Sequence, residues 1–106
     1  MKEIKAVIAI QRLQALEDAL RGVPGFPGMT VSRAERFPAP SARARASIRH
    51  ELTDHFARWR IEMLVPDEYA GALYDAVVAS VSSGPPGDSL VWMSDVARAS
   101  FVHKTG

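Results

Sequence analysis

With 106 residues and 47% hydrophobic content, the chain is long enough for one compact domain with a modest core, and a chain this short gains from oligomerising. Its 13 basic and 12 acidic side chains leave a formal charge of +1, which excludes a global field that would recruit nucleic acid or an anionic membrane surface. The absence of cysteine excludes a disulfide framework, a thiolate metal site and a cysteine nucleophile.

The chain opens with MKEIKAVIAI, where acidic Glu3 precedes a short apolar run with no cleavage-site pattern, so no signal peptide is expected. No apolar run approaches the length that spans a bilayer, and the reading is a cytoplasmic protein without membrane insertion. Lys2 to Ile10 is rich in Ile and Val and sets Ile4, Ala6 and Ile8 against Lys5, which predicts a first strand. QRLQALEDALRG then spaces Leu13, Leu16 and Leu20 at helical intervals among charged residues, with Gly22 at the stop. That is an amphipathic helix fit to cover a sheet. Val23 to Gly28 holds two Pro-containing turns, and Met29 to Phe37 returns as a second strand with β-branched Thr30 and Val31 near its start.

From Pro38 to Asp54 the periodicity fails, because Pro, Ala, Ser and Arg alternate without an apolar stripe, and the prediction is a long flexible loop. Strict alternation resumes in FARWRIEMLV, where Ala57, Trp59, Ile61, Met63 and Val65 interleave with Arg58, Arg60, Glu62 and Leu64. This is the clearest strand in the chain. Pro66, Asp67 and Glu68 suit a helix N-terminus, and Ala70, Leu73, Tyr74, Val77, Val78 and Val81 recur at helical spacing after them. SLVWM, Ser89 to Met93, is predicted as a fourth strand and Arg98 to His103 as a short edge strand. Trp59 and Trp92, at inward-alternating positions, read as core or subunit-interface anchors.

The order strand, helix, strand, loop, strand, helix, strand is the βαββαβ arrangement of an α+β ferredoxin-like sandwich, with an antiparallel sheet and two helices on one face. The whole of 1–106 reads as a single domain of this kind. The other face has no helix to cover it but carries apolar residues, which predicts a symmetric homo-oligomer.

Three sets of residues carry candidate chemistry. The turn at Gly84, Gly87 and Asp88 offers backbone N–H groups to an anion, with Arg58 and His103 adding charge; the alternative is that Pro85 and Pro86 only stiffen a connection. His50, Glu51, Asp54 and His55 gather ligand types that a divalent metal accepts, although two histidines five apart do not share a helical face as in a zincin motif. A solvated polar loop is the plainer account of the same residues. Arg43, Arg45 and Arg49 give the loop a basic stripe, suited to an acidic partner surface or to simple solubility. Arg58, Trp59 and Arg60 are too little for nucleic-acid recognition by a sheet. Three scattered histidines and the lack of any asparagine leave neither a nucleophile–base set nor an acylphosphatase-type site, so no enzyme is expected.

MKEIKAVI, GMTV at Gly28 to Val31, RIEMLVPDE at Arg60 to Glu68, SGPPGDSLVWM and the closing HKTG together resemble the PII signal-transduction family, nearly end to end. The resemblance implies a ferredoxin-like homotrimer, an adenine nucleotide held in clefts between subunits, and a loop at Pro38 to Asp54 that docks on a membrane transporter or a regulated enzyme. It places the base near Val7, Gly28, Thr30, Glu62 and Leu64, and it keeps Phe37 at the loop's start. The departures are as informative. Ser89 and Leu90 stand where the family has glycine and lysine, Phe101 and His103 stand where it has arginines, and Arg58 takes a position usually held by lysine. Neither the glutamine that helps hold Mg-ATP and 2-oxoglutarate nor the modifiable loop tyrosine has a counterpart. The resemblance therefore implies a divergent regulator with revised ligand chemistry. The alternative is a trimeric metal-tolerance or metal-efflux-associated protein, similar to the divalent-cation-tolerance proteins of this topology, that uses the His50 to His55 cluster.

Overall fold

The computed structural model describes residues 1–37, 39, 56–82 and 89–102. Strand β1 spans Lys2–Ala9 and passes through a 3-10 turn, Ile10–Arg12, into helix α1, Leu13–Arg21. Strands β2, Thr30–Glu35, and β3, Ala57–Val65, follow, then helix α2, Asp67–Val81, and strand β4, Leu90–Asp95. The sheet is antiparallel throughout its neighbouring pairs, in the order β2-β3-β1-β4. This is the expected ferredoxin-like α+β arrangement, with the two most apolar strands at the centre.

Alternation in the central strands decides which face the helices cover. Ile4, Ala6 and Ile8 of β1 and Ile61, Met63 and Val65 of β3 are buried on one side. Leu16 and Leu20 of α1 and Ala70, Leu73, Val77 and Val81 of α2 close over them in one cluster. Filling such a site is worth about 2–5 kcal/mol per large aliphatic side chain, judged by its truncation to Ala. Helical spacing overreached at Val78, which the α2 rotation leaves 37% exposed. Pro66 enters α2 in an extended conformation, and Asp67 and Glu68 lie in the first turn, where the helix dipole favours acids. The Met1 ammonium donates to Asp67 Oδ1 at 2.7 Å and holds that carboxyl below its usual range, while Lys2 pairs with Asp95 and ties β1 to the end of β4.

Cross-strand register fixes the opposite face as well. One row across the sheet reads Thr30, Glu62, Lys5, Trp92, and the next reads Ser32, Arg60, Val7, Leu90. No described helix covers this face. Trp59 is an inward anchor as expected, donating its indole N–H to Ile10 O at 3.1 Å and carrying the Arg33 guanidinium over its ring. Trp92 departs from the expectation of an inward position: its register partner is Lys5, so it stands on the uncovered face and is 41% exposed.

The predicted edge strand at Arg98 to His103 is absent over its described residues, 98–102. After β4 the Val96 N–H donates to Met1 O at 3.1 Å, and residues 97–102 lie outside the sheet. Its Phe101 packs over the pocket described below instead of entering a ladder. The long loop predicted at 38 to 54 falls, but for residue 39, outside the described residues. No described helix is long and apolar enough to cross a membrane.

The link from α1 to β2 depends on glycine. Phe26 N–H reaches Val23 O at 3.3 Å, closing a turn with Pro24 at its first central position and Gly25, at φ 83°, at its second. That is the type II pattern. A Cβ on Gly25 would lie 2.2 Å from the Tyr69 ring of α2. Gly25→Ala is therefore expected to destabilise by more than about 2 kcal/mol, combining a left-handed backbone penalty with a displaced ring. Gly22, at φ −88° with open space around it, provides the contrast. Gly22→Ala should be neutral or stabilise by up to about 1 kcal/mol. Paired urea denaturation curves check both values.

Candidate ligand-binding pocket

The uncovered face is not flat. Where β1 begins, β3 ends and β2 begins, a pocket of about 490 Å³ opens onto it. The register assembles its floor, because Glu3 lies opposite Leu64, and Glu62 lies opposite Thr30. These four side chains therefore project from three strands to the same side. Pro27, Gly28 and Met29 form one wall on the approach to β2, and Phe101 closes another from the segment after β4. Gly28 has φ 95° and open space around it, so the turn presents bare backbone to the cavity.

Four predicted ligand residues, Gly28, Thr30, Glu62 and Leu64, meet here. Three others do not. Val7 sits half-buried mid-sheet, opposite Arg60 and Leu90. Arg58 is buried to 8% exposure further along β3, where a guanidinium N–H donates to Ala57 O at 2.8 Å. Four residues of strand separate it from Glu62, about 13 Å. Phe37 stacks on Phe56 with ring centroids 4.7 Å apart, beside the Arg36 N–H bond to Phe56 O at 2.9 Å. It lies beside the ends of β2 and β3 and lines no part of the pocket. Gly84, Gly87, Asp88 and His103, the loop arginines Arg43, Arg45 and Arg49, and the cluster His50, Glu51, Asp54 and His55 all lie outside the described residues.

Glu3, Pro27, Met29 and Met63 also line the pocket without being expected there, and Phe101, marked by the resemblance only as a departure from an arginine, joins them. Glu3 was legible in principle, since the alternation that buries Ile4 must turn Glu3 to the other face. Phe101 reaches the cavity because the chain leaves the sheet after β4. The charges near the cavity are arranged in pairs, Lys5 Nζ to Glu3 Oε1 and Arg60 Nε to Glu62 Oε1, each at 3.6 Å. Both pairs are partly exposed and are worth at most about 1 kcal/mol each. The carboxylates line the pocket and their cations do not. Among the described residues the site offers hydrogen-bond acceptors, one hydroxyl, bare backbone and apolar walls.

No protein-family model matches the chain. Among characterised proteins it is similar to nitrogen regulatory protein P-II 1 of Escherichia coli strain K12, 30% identical over 99 residues that cover 92% of this chain and 88% of that protein. Nitrogen regulatory protein P-II of Klebsiella oxytoca is 29% identical over the same coverage. The P-II protein of Bradyrhizobium diazoefficiens is 28% identical over 93% of this chain and 88% of its own length.

Gly28 gives the pocket its own test. Alanine there meets no neighbour within 4 Å, so any loss of stability comes from the backbone conformation alone. Gly28→Ala should cost about 1–2 kcal/mol in urea denaturation, less than Gly25→Ala.

Proposed function

The chain belongs to the nitrogen regulatory P-II family, and from that premise we propose that it is a non-enzymatic signalling protein that works as a homotrimer. It binds a small effector, of the adenine-nucleotide class, in clefts between subunits. Its long loop, with Arg43, Arg45 and Arg49, docks on a membrane transporter or a regulated enzyme in the cytoplasm. The full 1–106 span acts as one domain.

One observation carries this reading. The candidate ligand residues are divided between opposite ends of the sheet, with Gly28, Thr30, Glu62 and Leu64 around the pocket and Phe37 and Arg58 toward the loop. From Thr30 to Glu35 is about 17 Å of extended chain, too far for one small ligand to touch both ends. Two copies packed through their uncovered faces would bring one end against the other, and the effector would then report directly to the loop of a neighbour. Exposed Leu90 and Trp92 on that face supply the apolar surface such packing needs.

Light scattering should give three times the 11.6 kDa chain mass at micromolar concentration. Trp92→Lys should shift that mass downward while the circular dichroism of the fold persists. A monomeric parent protein would overturn the seam. For the loop, deletion between Pro38 and Asp54 should abolish capture of the partner in a pull-down, and capture by the deleted protein would place docking elsewhere.

A further inference from the structure

We infer that Glu3 is a ligand-contacting, specificity-determining residue of this pocket: its carboxylate accepts a hydrogen bond from an N–H or O–H group of the effector. This rests on the reading that the pocket is the effector site, and it adds a residue that the family resemblance does not assign. The alternation that buries Ile4 under the helices turns Glu3 to the uncovered face, where it lines the cavity. Glu3 lies opposite Leu64, and Glu62 stands two residues before Leu64 on β3. The two acids are thus diagonal neighbours across the ladder, roughly 7–8 Å apart. A ligand resting on Leu64 has Glu3 within reach on one side.

Lys5 prepares that contact without consuming it. Its Nζ stands 3.6 Å from Glu3 Oε1, an electrostatic approach longer than a hydrogen bond, so the lone pairs of the carboxylate stay open to a donor. The approach still biases where the carboxylate sits, and a side chain placed beforehand loses less freedom when the ligand arrives. The Glu3 side chain is 27% exposed, so solvent screens a contact there less than on an open surface. A carboxylate that accepts from a ligand makes a charge-assisted bond, roughly twice as strong as a neutral one. Glu3 therefore favours effectors that present a donor at its position over analogues that lack one.

Calorimetry on the intact oligomer tests this with AMP, ADP and ATP, followed by analogues of the tightest binder that lack the exocyclic amino group, the 2′-hydroxyl or the 3′-hydroxyl. Glu3→Gln keeps the shape and removes the charge. It should weaken the parent ligand about fivefold or more, and should not further weaken the analogue whose missing group is the one that meets Glu3. Lys5→Met removes the ion pair and keeps the acceptor, so it should weaken binding less than Glu3→Gln and preserve the discrimination among analogues. Equal weakening of every ligand by Glu3→Gln, or the same pattern from Lys5→Met, would assign Glu3 a structural role and overturn the inference while leaving the pocket reading intact. Silence of the unaltered protein towards all three nucleotides would overturn the pocket reading itself, and the role of Glu3 with it.

Discussion

Strand β3 is the constraint on which the rest depends. It lies between β1 and β2, and its period of two sends Ile61, Met63 and Val65 under the helices while Arg58, Arg60, Glu62 and Leu64 go to the other side. A slip of one residue would place Glu62 in the core and turn the Met63 side chain to the uncovered face. The burial of Ile61 and Val65, each worth about 2 kcal/mol or more, therefore fixes the register. The same register aims the pocket carboxylate. Core energetics and site geometry are one choice, made on one strand.

The uncovered face follows from the same choice. The two described helices lie on one side of the antiparallel sheet, so among the described residues the other side is left to solvent or to a partner. On this side the polar groups are not scattered. Charged residues occupy β1 and β3 at the sheet centre, where Lys5 and Arg60 meet Glu3 and Glu62, and the apolar residues Leu90 and Trp92 lie on edge strand β4. Solvent would favour the reverse, with charges on the edge to discourage pairing. The exposed Trp92 and Leu90 on this edge are the apolar surface on which the proposed contact with another copy rests.

How much could be read from the sequence depended on whether a signal was local. The four strands and two helices among the described residues were legible because alternation and helical spacing are properties of short windows, and β3 was the clearest for that reason. The turn from α1 to β2 was legible in its residue types, since Pro followed by Gly demands a backbone like that at Gly25. Trp92 was misplaced because a short apolar run such as LVW does not say which of its residues faces in; its pairing with Lys5 does. The supposed edge strand at Arg98 to His103 had β-forming residues but no sheet neighbour to receive them along its described part. Within the pocket, Gly28, Thr30, Glu62 and Leu64 came from the family resemblance, whereas Glu3 and Phe101 depend on contacts between distant segments. Val7, Phe37 and Arg58 came from the same resemblance and lie apart from the pocket in one chain.

That separation connects to the ligand chemistry. Two of the departures that the family resemblance implies concern cations: Leu90 where a lysine is usual and Phe101 where an arginine is usual. In three dimensions both replacements are apolar and more than a third exposed, one on the uncovered face and one on the pocket wall. Each charge-assisted hydrogen bond so removed is worth about 1.5–3 kcal/mol to a bound anion. Loss of two would weaken a polyphosphate by several powers of ten unless other groups replaced them. The backbone turn at Gly28 and the acceptors Glu3 and Glu62 do not depend on those cations. The pocket floor of Glu3, Thr30, Glu62 and Leu64 stands on β1, β2 and β3, whereas Leu90 and Phe101 stand on β4 and the segment after it, so change at the latter positions leaves the floor in place.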